Sequence, residues 1–297
     1  MTTAQHYPWP VPATSILAAC NTHWPWPFLW FIRSRGADIK HVARKRFGQN
    51  FLHDQHVINR ILTHFHPLKG ECIVEIGPGL GALTWPLLER IDELNAIELD
   101  RDLVTRLKND PRASGRLHLY QVDALALDFS SLADSTHKLR IIGNLPYNIS
   151  TPLLFHLLTY APVIQDMVFM LQKEVVQRIT AGPGGKNYGR LSVMLQAQCV
   201  VKKVLDVSPG AFSPPPKVDS AVVHLTPHTE PVVDIPNPDN FALLVKSSFT
   251  QRRKTLRNNL KGILTEKEIT EAGIDPSVRA ETLSLEEFSL LAKKINT

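Results

Sequence analysis

The sequence predicts a doubly wound α/β sheet, mostly parallel with its last strand antiparallel, followed by a small all-helical C-terminal domain. Three observations carry that expectation. Short apolar runs recur at intervals of roughly twenty residues from residue 72 onward, with helical apolar spacing between them. A glycine-rich turn follows the first of these runs. Beyond the four prolines of the stretch 226–240 (Pro227, Pro231, Pro236, Pro238), the pattern becomes purely helical.

Residues 1–40 stand apart. Four of the five tryptophans (Trp9, Trp24, Trp26, Trp30) lie there among Pro8, Pro10, Pro12, Pro25 and Pro27. Proline at that density excludes a long helix, and no strand alternation replaces it. A poorly ordered leader is expected. Leu17-Ala18-Ala19-Cys20 imitates a lipoprotein cleavage box, but no Lys or Arg precedes it, so export is not expected. From Asp54, a plausible N-cap, the residues Val57, Ile58, Ile61, Leu62 and Phe65 recur at helical spacing. Strands are then expected over 72–75, 94–98, 117–121, 139–142 and 167–170, with a weaker one over 200–204. Helices are expected over 82–91, 103–107, 152–158 and 174–179. The last run, 221–225, follows the proline turn at 213–216 with no room for a crossover helix, so it pairs antiparallel. The expected organisation is a leader over 1–40, an α/β domain over 41–228 and a helical domain over 237–297.

Composition narrows the class. Of 297 residues, 43% are hydrophobic and 21% charged, which suits a full core and excludes a disordered chain. Lys plus Arg exceed Asp plus Glu by 33 to 28, a formal +5 that points to an anionic partner only where it is clustered. Cys20, Cys72 and Cys199 lie too far apart for a disulfide scaffold or a cysteine zinc site, and fit a reducing compartment. The pairs His53/His56 and His64/His66 lack a third ligand at metal spacing. With no apolar run near membrane-spanning length, a cytoplasmic monomer with no metal and no membrane contact is expected.

Val74-Glu75-Ile76-Gly77-Pro78-Gly79-Leu80-Gly81-Ala82 is a strand running into a glycine turn and a helix. Glycines let the backbone turn tightly against a ligand, and a helix start offers unpaired N–H groups. Gly77, Gly79 and Ala82 also satisfy the GxGxxA of dinucleotide sites, and Glu98, twenty-one residues past Gly77, suits ribose hydroxyls in either class. Glu75 shifts the balance, since a carboxylate repels a pyrophosphate and welcomes a sulfonium. Asp123, just past the third strand, serves either an adenine amine or an ordinary loop cap.

Asn144-Leu145-Pro146-Tyr147-Asn148-Ile149-Ser150 follows the fourth strand. An exocyclic aromatic amine is a poor nucleophile because its lone pair is delocalised into the ring. Acceptors on both its hydrogens, here the Asn144 side chain and the Leu145 carbonyl, return that pair to nitrogen. Tyr147 can stack on a base lifted from its helix. Phe212, before three prolines, is either loop packing or a second ring opposite Tyr147.

These segments, with Arg44-Lys45-Arg46-Phe47-Gly48-Gln49-Asn50-Phe51-Leu52, the run from Phe212 to Ser220, and Gln251-Arg252-Arg253-Lys254-Thr255-Leu256-Arg257-Asn258, resemble the ribosomal RNA adenine N6-dimethyltransferase family over residues 41–297. The resemblance implies a Rossmann-like methyltransferase sheet and S-adenosyl-L-methionine contacted by Asn50, Leu52, Gly77, Glu98, Asp123 and Asn144. It also implies two methylations on each of two adjacent adenosines near the 3′ end of small-subunit ribosomal RNA, in a pre-ribosomal particle during ribosome biogenesis. Three rivals share parts of the pattern: a large-subunit ribosomal RNA adenine methyltransferase, a nicotinamide dehydrogenase that the glycine turn alone would fit but that leaves Asn144 to Ser150 unexplained, and a non-enzymatic ribosome-assembly factor.

Finally, 246–261 holds six basic residues and no acidic one. Treated as one helix, it places Lys246, Arg253, Lys254, Arg257 and Lys261 on a single face fit for an RNA backbone. The segment Lys40 to Arg46 is a second candidate footprint. The glycine-rich loop 182–185 either gates the site or connects elements.

Overall fold

The computed structural model of the protein describes residues 49–295 apart from Ser135. The expected leader and the basic segment Lys40 to Arg46 lie outside the described residues. The described residues open with a two-residue strand, β1 (Phe51–Leu52), and α1 (Gln55–Phe65), whose N-cap Asp54 accepts from the backbone of His56 and Val57. Then β2 (Cys72–Ile76), α2 (Thr84–Leu88), β3 (Leu94–Ile97), α3 (Arg101–Lys108), β4 (Leu117–Tyr120) and β5 (Leu139–Asn144) alternate as the apolar spacing requires. They continue through α4 (Ser150–Leu158), β6 (Ile164–Gln172), α5 (Lys173–Ile179), α6 (Arg190–Gln196) and β7 (Cys199–Val207). A second two-residue strand, β8 (Phe212–Ser213), precedes β9 (Ser220–Pro227). The rest is helical: α7 (Pro238–Ser248), α8 (Leu256–Asn259), α9 (Glu266–Glu271) and α10 (Leu285–Ala292).

The main sheet has seven strands in the order β4-β3-β2-β5-β6-β9-β7. Strands β4 through β6 pair parallel, and β9 is antiparallel to both its neighbours. Successive residues alternate between two faces. Ile73, Ile142, Val168 and Val222 meet α1 and α2, while Val74, Ile141, Phe169 and Val223 meet α4 and α5. Both faces are covered, which is why these runs are almost wholly apolar. The weak run over 200–204 is an edge strand. Its exposed Val200, Lys202 and Lys203 and its register shift before Leu205 are devices that discourage further pairing.

Two elements escaped the sequence. The β1–β8 pair, Phe51 against Ser213 and Leu52 against Phe212, is too short to leave a pattern. The helix α6 shares an apolar cluster with the C-terminal helices through Val193, Met194, Phe241 and Leu244. Packing is therefore continuous between α6 and the helical segment. The glycine loop is tied to that segment too, with the Gly184 N–H donating to the Glu281 carbonyl at 2.7 Å and Arg252 bonding the Lys186 carbonyl.

The single basic helix expected over 246–261 does not form. The helix α7 stops at Ser248 and α8 starts at Leu256, with turns between. The Asn259 amide explains the break. Its Nδ2 donates to the carbonyls of Ser248 (2.8 Å) and Gln251 (3.1 Å), and its Oδ1 accepts from the Gln251 N–H (3.2 Å), so a side chain takes over the backbone pairing. The common helical face of Lys246, Arg253, Lys254, Arg257 and Lys261 is thereby lost, although all five stay exposed. The run is not acid-free in space either. Arg252 pairs with Glu281 at 2.8 Å and Arg257 with Glu266 at 3.8 Å.

One buried polar network anchors the far end of β5. Arg140 is 7% exposed and grips Asp166 with two hydrogen bonds (2.8 and 2.9 Å), Glu71, and the carbonyls of Phe65 and His66. His224 adds a bond to Asp166 at 3.0 Å, and His64 bonds His224 at 3.0 Å. Burial alone raises the Asp166 carboxyl, but the bonds from Arg140 and His224 outweigh it and leave the group below its ordinary range. Its stabilising contribution is therefore present at neutral pH and lost as pH falls through that lowered value. Arg140→Ala, which strands two carboxylates, should cost about 3–5 kcal/mol in urea unfolding at pH 7. It should also flatten the acid limb of the stability curve that the wild type shows below the carboxylate range.

Candidate active site

The carboxyl ends of β2, β3, β4 and β5 surround one cavity of about 330 Å³. Open parallel sheets bind ligands along this edge, where strand ends splay into loops and helix starts. Gly77 and Gly79 of the turn after β2, Glu98 after β3, Asp123 after β4, Asn144 at the end of β5, and Leu145 and Tyr147 after it all line the cavity, with Asn50 from just before β1. Eight of the sequence-derived candidates thus meet in one place, although they span nearly a hundred residues of chain.

Gly79 sits at φ +57, and a Cβ there would lie 3.2 Å from the Phe51 ring. Only glycine combines that backbone with that contact. Glu98 is 9% exposed, and its two oxygens accept from the Gly79 N–H (3.2 Å) and the Asp100 N–H (2.9 Å). It therefore ties the glycine turn to the start of α3. Burial pushes its carboxyl above the ordinary range, and the two backbone bonds act against that rise. Asp123 uses one oxygen to accept from the Leu125 N–H at 2.9 Å, closing a tight turn, and its other oxygen is left for a ligand. The Asn144 Nδ2 donates to the Asn50 carbonyl at 3.0 Å, which commits the amide's donor side and leaves Oδ1 as the group offered to a ligand. Leu145 is fully buried, with its N–H on the Met170 carbonyl at 3.1 Å.

Three candidates lie elsewhere. Leu52 and Phe212 do not line the cavity. They face one another in the β1–β8 register and are buried at 5% and 2% exposure in the core beneath. Phe212 is packed in that core, which accords with the loop-packing reading of it. Glu75 is also set back from the cavity. It is 1% exposed and accepts from the Thr84 hydroxyl at 2.7 Å. It buttresses the glycine turn from behind instead of facing a ligand, so the charge argument built on it does not hold. The basic residues 246–261 line no part of the cavity. Among the described residues no cluster of His, Cys, Asp or Glu could hold a metal.

Sequence reasoning missed several walls of the cavity. Gln49 and Phe51 belong to the segment crossing its mouth, and Leu99 and Val122 flank Glu98 and Asp123. Leu99 is 50% exposed, large for an apolar side chain. An apolar residue beside each carboxylate, at a strand end, was the available signal.

Comparison with known proteins gives this site its context. The pattern of the family described as ribosomal RNA adenine dimethylase matches residues 40–297. A ribosomal RNA small subunit methyltransferase A from Pseudomonas aeruginosa is 55% identical over 86% of this chain and 96% of its own length. One from Klebsiella pneumoniae is 53% identical over 85% and 93%. Among solved structures, a dimethyladenosine transferase from Plasmodium falciparum superposes with a TM-score of 0.67 at 26% identity, covering 82% of this chain and 98% of its own. A 23S rRNA methyltransferase, ErmE, shares the fold with a TM-score of 0.63 at 23% identity, covering 84% and 100%.

Burial raises the Glu75 carboxyl to about 8, with the Thr84 bond opposing the shift and Glu98 adding to it. The folded state therefore holds this proton where the unfolded chain has released it. Stability from this group is complete below the ordinary carboxylate value and declines as pH climbs toward 8. In urea titrations, Glu75→Gln should gain on the wild type by up to about 1.4 kcal/mol per pH unit between pH 5 and 8, and no further above. A pH-independent difference would show that Glu75 is ionised in the fold.

Proposed function

The chain belongs to the ribosomal RNA adenine dimethylase family, and on that premise we propose that it transfers methyl groups from S-adenosyl-L-methionine to the N6 amines of two adjacent adenosines near the 3′ end of small-subunit ribosomal RNA. Each amine is methylated twice, and the acceptor is a pre-ribosomal particle in the cytoplasm. The supporting observation is the single cavity in which Gly77, Glu98 and Asp123 meet Asn144 and Tyr147. A site for a nucleoside and a site for an amine share one wall.

The residues present fit the cofactor. Gly77 and Gly79 leave room for backbone approach, Glu98 suits ribose hydroxyls and Asp123 an adenine amine, while Ile97, Leu99 and Val122 offer apolar surface to a purine. When bound, the cofactor supplies a methyl group already activated on a sulfonium. The protein's own task is to aim and polarise the amine. Asn144 Oδ1 and the Leu145 carbonyl accept the two N6 hydrogens, which favours a tetrahedral nitrogen with its lone pair directed at the methyl. Tyr147 stacks on the extruded base. After the first round one N–H remains, so one acceptor goes unpaired when the monomethylated base returns to the pocket. Lys246 on α7, Arg253 and Lys254 on the turns that follow, Arg257 on α8 and Lys261 just past it hold the backbone of the structured RNA, as separate exposed cations in place of one helical stripe.

Mapping of methylated adenosines on small-subunit RNA from cells with and without the protein tests the assignment. Adjacent N6-dimethyladenosines near the 3′ end should vanish without it and stay absent when Asn144→Ala replaces the wild type. The purified variant should keep its cofactor affinity while single-turnover transfer falls by about 10²-fold or more. Unchanged methylation in cells lacking the protein would overturn the proposal.

A further inference from the structure

We propose that Ser220 is a positioning residue for methyl transfer, holding the Tyr147 ring as a preset wall of the adenine pocket. The inference rests on the methyl-transfer role assigned to this cavity. Ser220 closes the segment that begins at Phe212, and neither its burial nor its chemistry is accounted for by packing alone. Its Oγ lies 2.7 Å from the Tyr147 hydroxyl. The residue is fully buried and sits at the first position of β9, flanked in register by Gln172 of β6 and Val207 of β7. A strand paired on both sides cannot shift to follow a mobile ring, so the hydroxyl is a fixed point.

Tyr147 is held at its other end as well, where its carbonyl accepts from Ser150 Oγ at 3.1 Å at the start of α4. Its side chain reaches from the turn after β5 past β6 to β9, two strands away in the sheet. Between these anchors the ring lines the cavity beside Asn144, Leu145 and Pro146. Ser220 itself does not line the cavity. Any effect it has on transfer must therefore pass through Tyr147. Without the bond the ring is free to leave its stacking orientation, and every turnover must order it again. Burial raises the phenol above its ordinary range, with the Ser220 bond acting against the rise.

Single-turnover transfer to small-subunit particles tests this with Ser220→Ala, Tyr147→Phe and the double variant. Each single change should slow transfer about fivefold, the size expected from one buried hydroxyl bond, with cofactor affinity and particle binding unchanged. The double variant should be no slower than either single one, because all three delete the same bond. Ser220→Thr, which restores a hydroxyl, should recover most of the rate. Should Ser220→Ala not fold, Tyr147→Phe against wild type decides alone. Wild-type rates in Ser220→Ala or Tyr147→Phe, or multiplied losses in the double variant, overturn the positioning role. A wild-type protein that transfers no methyl group to the particle would instead overturn the functional assignment beneath it.

Discussion

The site depends on how closely β5 runs beside β2. A Cβ on Gly143 would sit 2.4 Å from the Ile76 carbonyl, a separation no side chain survives. Glycine at this position lets the two central strands close up at their carboxyl ends. The consequence lies one residue further along each strand. A Cβ on Gly77 would be 3.6 Å from the Asn144 carbonyl, so the glycine turn and the turn after β5, proposed above to polarise the amine, become neighbours. Methyl transfer needs donor and acceptor held within contact distance and in line, and that alignment supplies a large part of the rate. Here it is set by backbone packing at the middle of the sheet and not by mobile loops.

The remaining structure preserves that junction. Arg140 and Asn144 stand at opposite ends of β5. The buried grip of Arg140 on Asp166 and Glu71 fixes the strand at one end, so Asn144 is presented at the other without freedom to slide. The N-terminal segment crosses the cavity mouth. Gln49 bonds Asp100 at 3.1 Å, the Asn50 carbonyl orients Asn144, and β1 pairs with β8. Three loop ends are therefore laced together by the four residues from Gln49 to Leu52, which carry only a two-residue strand. Leu52 and Phe212 act through this lacing, which explains why both are buried behind the cavity.

The sheet was legible because its signals are local. Apolar runs separated by helical spacing specify both faces, and a proline turn too short for a crossover specifies the antiparallel sense of β9. Gly77, Glu98, Asp123 and Asn144 were legible because each follows a strand end, and parallel strands bring such ends to one edge. What stayed hidden depends on partners distant in sequence. The burial of Phe212 follows from two-residue pairing with β1, 160 residues earlier. The break in the basic run follows from one amide, Asn259, capturing carbonyls up to 11 residues away. Glu75 has a carboxylate's usual signature in sequence, yet complete burial keeps it a neutral support, against the pull of the one hydroxyl, Thr84, that bonds it.

Gly143→Ala tests the central claim most directly, with Gly115→Ala as the control, since Gly115 has positive φ (+74) but no neighbour within 4 Å. Thermal unfolding first establishes that each variant is folded. If strand closure assembles the site, folded Gly143→Ala should lose methyl transfer by about 10²-fold or more in single turnover. Gly115→Ala, carrying only backbone strain far from the cavity, should transfer at close to the wild-type rate. A folded Gly143→Ala protein with wild-type transfer would contradict the account.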